Sequence, residues 1–150
     1  MSDENVSEHF EWSEAVTTST GLENEIPETL KSNAVRLAET VLEPLRVFLG
    51  PLHINSWYRS PAVNRAVGGV ESSYHRLGLA ADIVPNGDVF KAFKMALIHL
   101  QDLPIDKIIF EHHHSDWIHV QTAKDGEEPK HLAFTAQPGP HGMIYTRYEV

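Results

Sequence analysis

The stretch Ser72-Ser73-Tyr74-His75-Arg76-Leu77-Gly78-Leu79-Ala80-Ala81-Asp82, taken with Asp116-Trp117-Ile118-His119-Val120 further on, decides how this chain is read. Residues 70–78 carry no apolar period and predict a loop, whereas residues 79–84 predict a strand ended by the turn Pro85-Asn86-Gly87. Period-two alternation sets Ala80, Asp82 and Val84 on one side of that strand, with Ala81 and Ile83 on the other. In the second stretch Ile118 and Val120 point one way while Trp117, His119 and Gln121 point the other. Asp82 and His119 can therefore meet on one sheet face. A loop His75 folded over that face completes two imidazoles and one carboxylate, the protein ligand count of an open catalytic zinc site. The same residue types describe the non-haem iron triad, and a single His or Asp at a strand is most often a hydrogen-bonded structural residue. Spacing alone leaves all three readings open.

Working outward, Leu30, Ala34, Leu37, Val41, Leu45 and Phe48 recur at three- and four-residue steps, predicting a long amphipathic helix that starts near Pro27 and ends at Gly50-Pro51. Pro44 removes a backbone donor inside it, which predicts a kink or break near Thr40 to Val41. Residues 53–58 read as a strand containing Trp57 and Tyr58, as half-buried strand aromatics or the flank of a cleft. Ser60-Pro61 reads as an N-cap and first helical turn, and Gly68-Gly69 as the stop. Asp88 caps a helix with Phe90, Phe93, Leu97 and Leu100 inward. Residues 107–111 and 117–122 form a hairpin around the polar connection His112 to Asp116, and residues 143–148 add an edge strand after a Gly/Pro-rich surface crossing at 138–142. Residues 1–8 are expected to be disordered, with the core at about 10–148. The economical reading is one α+β domain over residues 1–150, a small central antiparallel sheet with flanking helices.

The 150 residues hold 12 Lys and Arg against 21 Asp and Glu, a formal charge of −9. Asp3, Glu4, Glu8, Glu11, Glu14, Glu23, Glu25 and Glu28 account for most of it, and no Lys or Arg precedes residue 31. Nucleic-acid binding by phosphate neutralisation is excluded, because it needs clustered cations. No apolar run reaches the roughly 20 residues of a membrane span, and the acidic N-terminus does not read as a secretory signal. A cytoplasmically made, monomeric protein is expected. With no Cys, thiolate chemistry is excluded and any metal must be held by His and carboxylates, for which ten His are present.

His75-x-x-Gly78-x-Ala80-x-Asp82 followed by Asp116-x-x-His119, with Ser56-Trp57-Tyr58-Arg59-Ser60-Pro61, Asn64-Arg65 and Gly68-Gly69 upstream, resembles the zinc peptidase family of D-alanyl-D-alanine carboxypeptidases, vancomycin-resistance D,D-dipeptidases and phage L-alanyl-D-glutamate endolysins. The resemblance extends over about residues 27 to 122. It implies that His75, Asp82 and His119 bind one Zn2+ per chain, that Asp116 is the general base, that Arg59 faces the substrate carbonyl and that Ser73 contacts substrate. Such a site joins a Lewis acid, a carboxylate that moves the proton and a guanidinium for the oxyanion. The implied substrate is a peptidoglycan stem peptide, cut by an endolysin-type enzyme reaching the wall from the host cytoplasm after membrane opening, or trimmed of terminal D-Ala by a carboxypeptidase. The related Hedgehog domain shows that the fold also serves without catalysis, so a cell-wall-binding or virion module is the reading from another class. Glu111 is a rival for general base, one strand earlier. His112, His113 and His114 are read as a polar connection, since three consecutive residues cannot all face one ion.

Overall fold

The computed structural model describes residues 4–149. A short first helix, α1 (Trp12–Ala15), precedes the expected long one. That rod runs as α2 (Glu28–Leu37), a π-helical turn (Ala38–Leu42) and α3 (Glu43–Leu49). Pro44 explains the wide turn. Lacking an N–H, it cannot bond the carbonyl four residues back, and the Glu43 N–H reaches instead to the Ala38 carbonyl. The Thr40 hydroxyl donates to the Arg36 carbonyl at 2.6 Å in the same turn. The predicted break is thus a local widening that lets Leu37, Val41, Leu42 and Leu45 all stay buried.

Strand β1 (Leu52–Ser56) leads to α4 (Pro61–Ala66), capped by the Ser60 hydroxyl accepting from the Val63 N–H as the sequence predicts. After β2 (Ala80–Pro85), α5 (Val89–Leu97) starts where the Asp88 carboxylate accepts the Lys91 N–H. The remaining strands are β3 (Ile105–His113), β4 (Ser115–Thr122), β5 (Leu132–Gly139) and β6 (Gly142–Arg147). They form one six-stranded sheet in the order β1-β2-β4-β3-β5-β6. The sheet is mostly antiparallel, with β5 parallel to β3. Apolar groups from α2, α3 and α5 pack on one face of it, where Ile83, Ile108, Ile118, Val120 and Phe93 lie in the same buried cluster as Leu37 and Leu45. The other face of the central strands is left for polar side chains. Among the described residues no helix is long and apolar enough to cross a membrane.

Four expectations are corrected. Trp57 and Tyr58 are not half-buried strand aromatics; they are 0% and 3% exposed in the core, with the Trp57 indole N–H donating to the Gly78 carbonyl, and only Tyr58 borders a depression, beside Pro27, Leu30 and Pro61. The polar connection narrows to His114, at φ 69, because His112 and His113 pair with Asp116 and Ser115 and extend both strands. The Gly/Pro segment is no surface crossing: residues up to Gly139 belong to β5, which pairs with β6 in a hairpin. Of the residues expected to be disordered, 1–3 lie outside the described residues, whereas Val6 is buried and Asn5 forms a bridge with Glu11.

The Glu43 carboxylate holds that N-terminal segment. It accepts from the Ser7 hydroxyl at 2.6 Å and the His9 N–H at 2.7 Å, and its second oxygen lies 2.7 Å from His9 Nδ1. Burial would raise the carboxyl's pKa, but these hydrogen bonds and the His9 charge together hold it below the ordinary value of 4.5. A carboxyl depressed on folding stabilises above its unfolded pKa, and the contribution is lost as pH falls through the folded value. Glu43→Ala is expected to cost about 1–3 kcal/mol at neutral pH and to flatten the acid limb of the stability curve below pH about 4.5. Urea unfolding from pH 3 to 7 measures both.

Candidate metal centre

The antiparallel register of β2 and β4 sets Asp82 directly opposite His119. His75 arrives from a 3-10 turn (Tyr74–Leu77) that the Ser73 hydroxyl caps by accepting the His75 N–H. Gly78 ends that turn at φ 76, a left-handed conformation that glycine adopts without a Cβ penalty, and sends the chain into β2. The three side chains converge. Asp82 Oδ1 lies 3.3 Å from His75 Nε2 and 3.1 Å from His119 Nδ1, and one ligand atom from each residue lies within 4.8 Å of the others.

Hydrogen bonds behind the cluster decide what those atoms offer. The His75 Nδ1–H donates to the Trp57 carbonyl at 2.7 Å, because a carbonyl can only accept. Its Nε2 lone pair is thereby aimed at Asp82. The His119 Nε2–H likewise donates to Gln121 Oε1 at 2.8 Å, and the Gln121 amide donates to Asp106 Oδ2 at 3.0 Å. Two imidazole lone pairs and a carboxylate oxygen thus face one point. Three acceptors at this distance require a cation or a shared proton between them, and this donor set suits zinc.

The electrostatics describe the shared proton. Burial would raise the Asp82 pKa, yet the charge of His75 and the hydrogen bonds from both imidazoles hold it far below the carboxylate range. Burial pushes the His75 imidazolium down, against the pull of Asp82. For His119 burial also lowers the pKa, but the Asp82 hydrogen bond and charge, with Gln121 and Glu111, outweigh it and raise the value above 6.5.

The cluster lies in a cavity of about 570 Å³. Arg59 is on its wall, donating through Nη2 to Asp82 Oδ2 at 3.4 Å and through Nε to Ser56 Oγ at 3.1 Å, while its backbone N–H bonds the His75 carbonyl. Ser73 is also on the wall. The expected base Asp116 is not brought there. It stands three residues from His119 on one strand, so alternation turns it to the opposite face, and it pairs across the hairpin with His112. Glu111 does line the cavity, and its Oε2 accepts the Trp117 indole N–H at 3.1 Å. His113 and His114 lie ring against ring at a tilt of 33° at the exposed tip, outside the cavity lining. A second depression, about 770 Å³ against Trp12 and Ile26, contains none of these residues.

Gln121 belongs to the face already read for His119, but its Asp106 anchor and the Trp57 carbonyl carry no sequence signal, since both depend on strands brought together by folding. Asn64 belongs to the upstream motif but without an assigned role; it is 2% exposed, accepting from Arg59 Nη1 at 3.5 Å and donating to the Val70 carbonyl at 2.8 Å. Tyr145 reaches the cavity rim from β6.

A family model described as Peptidase M15 matches residues 8–121. No curated protein matches the chain.

Gly69 closes against this wall. A Cβ there would stand 2.1 Å from Asn64 Oδ1 and 3.2 Å from Arg59 Nη1, so Asn64 would have to leave its place. Gly69→Ala is expected to lower stability by about 1–3 kcal/mol, the usual cost of overpacking, and thermal denaturation beside the unmutated protein checks it.

Proposed function

Given that the chain belongs to the Peptidase M15 family of zinc-dependent peptidases, which act on peptidoglycan-type substrates, we propose that it hydrolyses an amide bond in a peptidoglycan stem peptide with His75, Asp82 and His119 holding one zinc ion. The observation that carries this reading is the convergence of the three lone pairs beside Arg59 in an open cavity. Bound zinc would supply a Lewis acid for the scissile carbonyl and the attacking water. The chain's own groups do the rest. The Trp57 carbonyl and Gln121 take the outer ring nitrogens of His75 and His119 and so orient their inner nitrogens toward Asp82. Arg59, permanently charged, sits where an oxyanion would develop beside Asp82. Ser73 stands at the wall, where its hydroxyl can meet substrate while still accepting the His75 N–H.

Lys107 supports an acidic peptide as substrate. It lines the same cavity, its ammonium 5.8 Å from the Phe134 ring, and no carboxylate partner is described for it. A stem peptide carries carboxylates that such a cation can meet. An internal, endolysin-type cut is the first reading to test and trimming of terminal D-Ala the second. Digestion of purified peptidoglycan with mass spectrometry of the new termini separates them, and binding without cleavage would transfer the protein to the non-catalytic class.

Elemental analysis is expected to find one zinc per chain, lost in His75→Ala and in His119→Ala. Zinc affinity is expected to fall as pH drops through the range where the two imidazoles titrate, because the ligands must be deprotonated; competition with a chromophoric chelator measures it. Arg59→Ala and Arg59→Lys are expected to keep zinc and lose turnover by about 10²-fold or more, the size of losing one oxyanion donor. Unchanged turnover in Arg59→Lys would remove Arg59 from this role.

A further inference from the structure

We infer that Glu111, rather than Asp116, takes the proton from the attacking water and returns it to the leaving amine, an assignment that rests on the peptidase reading above. Three observations carry it. The first is elimination: of the residues lining the cavity, Asp82 and Glu111 are the carboxylates, and Asp82 belongs to the ligand cluster. The second is register. β3 and β4 pair Ile109 with His119 and Glu111 with Trp117; paired residues share a face, so Glu111 projects from the same face as His119, one strand over and about 7 Å along. The third is fixation. The Trp117 indole N–H holds Oε2 at 3.1 Å, while no hydrogen bond is described for Oε1, so one oxygen is anchored and the other is left for a water.

Asp116 fails the first two of these conditions. It is turned to the opposite face, pairs with the His112 ring and is absent from the cavity wall. Between His113↔Ser115 and Ile108↔Val120 the pairing runs without a bulge, so nothing in the strand re-aims it. Partial burial and the nearby Asp82 charge raise the Glu111 pKa, against His119, Trp117 and Arg59, which moves the carboxylate toward a more effective base.

The step balances without a further reagent. The water oxygen bonds to the carbonyl carbon as one of its protons passes to Glu111. The C–N bond then breaks, and that proton goes to the amine nitrogen. The products are a carboxylic acid and an amine, and Glu111 returns to its carboxylate form. Trp117 is a positioning residue in this scheme.

Zinc-loaded unmutated protein, Glu111→Gln and Asp116→Asn are compared on a synthetic stem pentapeptide for turnover, zinc stoichiometry and peptide affinity by calorimetry. Glu111→Gln can keep the Trp117 hydrogen bond; it is expected to retain one zinc and the peptide affinity while turnover drops about 10²- to 10⁴-fold. Asp116→Asn is expected to stay within a few fold. Turnover surviving in Glu111→Gln, or zinc lost from it, would overturn the inference, as would a zinc-loaded Asp116→Asn with turnover down 10²-fold. Failure of the unmutated zinc-loaded protein to cleave either the pentapeptide or whole peptidoglycan would instead overturn the peptidase reading, and this assignment with it.

Discussion

The pairing of Asp82 with His119 across β2 and β4 is the contact on which the rest of the site depends. Side chains alternate faces at every residue, so a slip of one position would carry Asp82 or His119 into the core and bring Ile83 or Ile118 out. What prevents the slip is apolar burial. Ile83, Ile118 and Val120 are each 0% exposed beneath the helices, and exposing even one costs roughly 1.5–3 kcal/mol. The hydrophobic face thus fixes the register, and the register delivers a carboxylate and an imidazole to the same level on the polar face. His75 is added from outside the sheet by the turn that Gly78 closes.

Such a cluster is expensive without compensation, because taking a carboxylate out of water costs several kcal/mol even after relaxation. Asp82 is met on three sides by His75, His119 and Arg59. Each of those is held from behind by a neutral acceptor: the Trp57 carbonyl, Gln121 and Ser56 or Asn64. The arrangement keeps the lone pairs of the two imidazoles pointed inward while their other nitrogens are satisfied. A cation at the centre would relieve the remaining lone-pair repulsion, so the cost of building the site is what makes it selective for one. The acidic residues before Lys31 line no part of the cavity, and exposed charges more than about 8–10 Å apart are screened by salt.

Much of this was legible in the sequence, and for physical reasons. The helix with Pro44 inside it, the Ser60 and Asp88 caps and the alternation of Asp82 and His119 are local, so period and side-chain chemistry suffice to read them. β5 was missed because residues 132–139 carry Pro138 and Gly139 and no clean alternation; its place beside β3 comes from long-range parallel pairing. The order around Ser7 carries no local signal, because it depends on Glu43, a partner 36 residues away. Trp57 and Tyr58 were misplaced because their strand ends at Ser56, and the chain turns them inward where an extended strand would have left them half exposed.

The proton acceptor shows how motif spacing and backbone geometry can disagree. A three-residue step puts two side chains on one face of a helix, but on a strand it puts them on opposite faces. Asp116 and His119 could share a face only if a bulge or a turn lay between them, and the hairpin would have to end before Asp116. Here β4 already begins at Ser115, and the His112↔Asp116 rung is an ordinary pair of the ladder. Lengthening the hairpin by these two rungs therefore does chemical work: it withdraws one carboxylate from the metal centre and leaves Glu111, in step with Ile109 on the neighbouring strand, facing it.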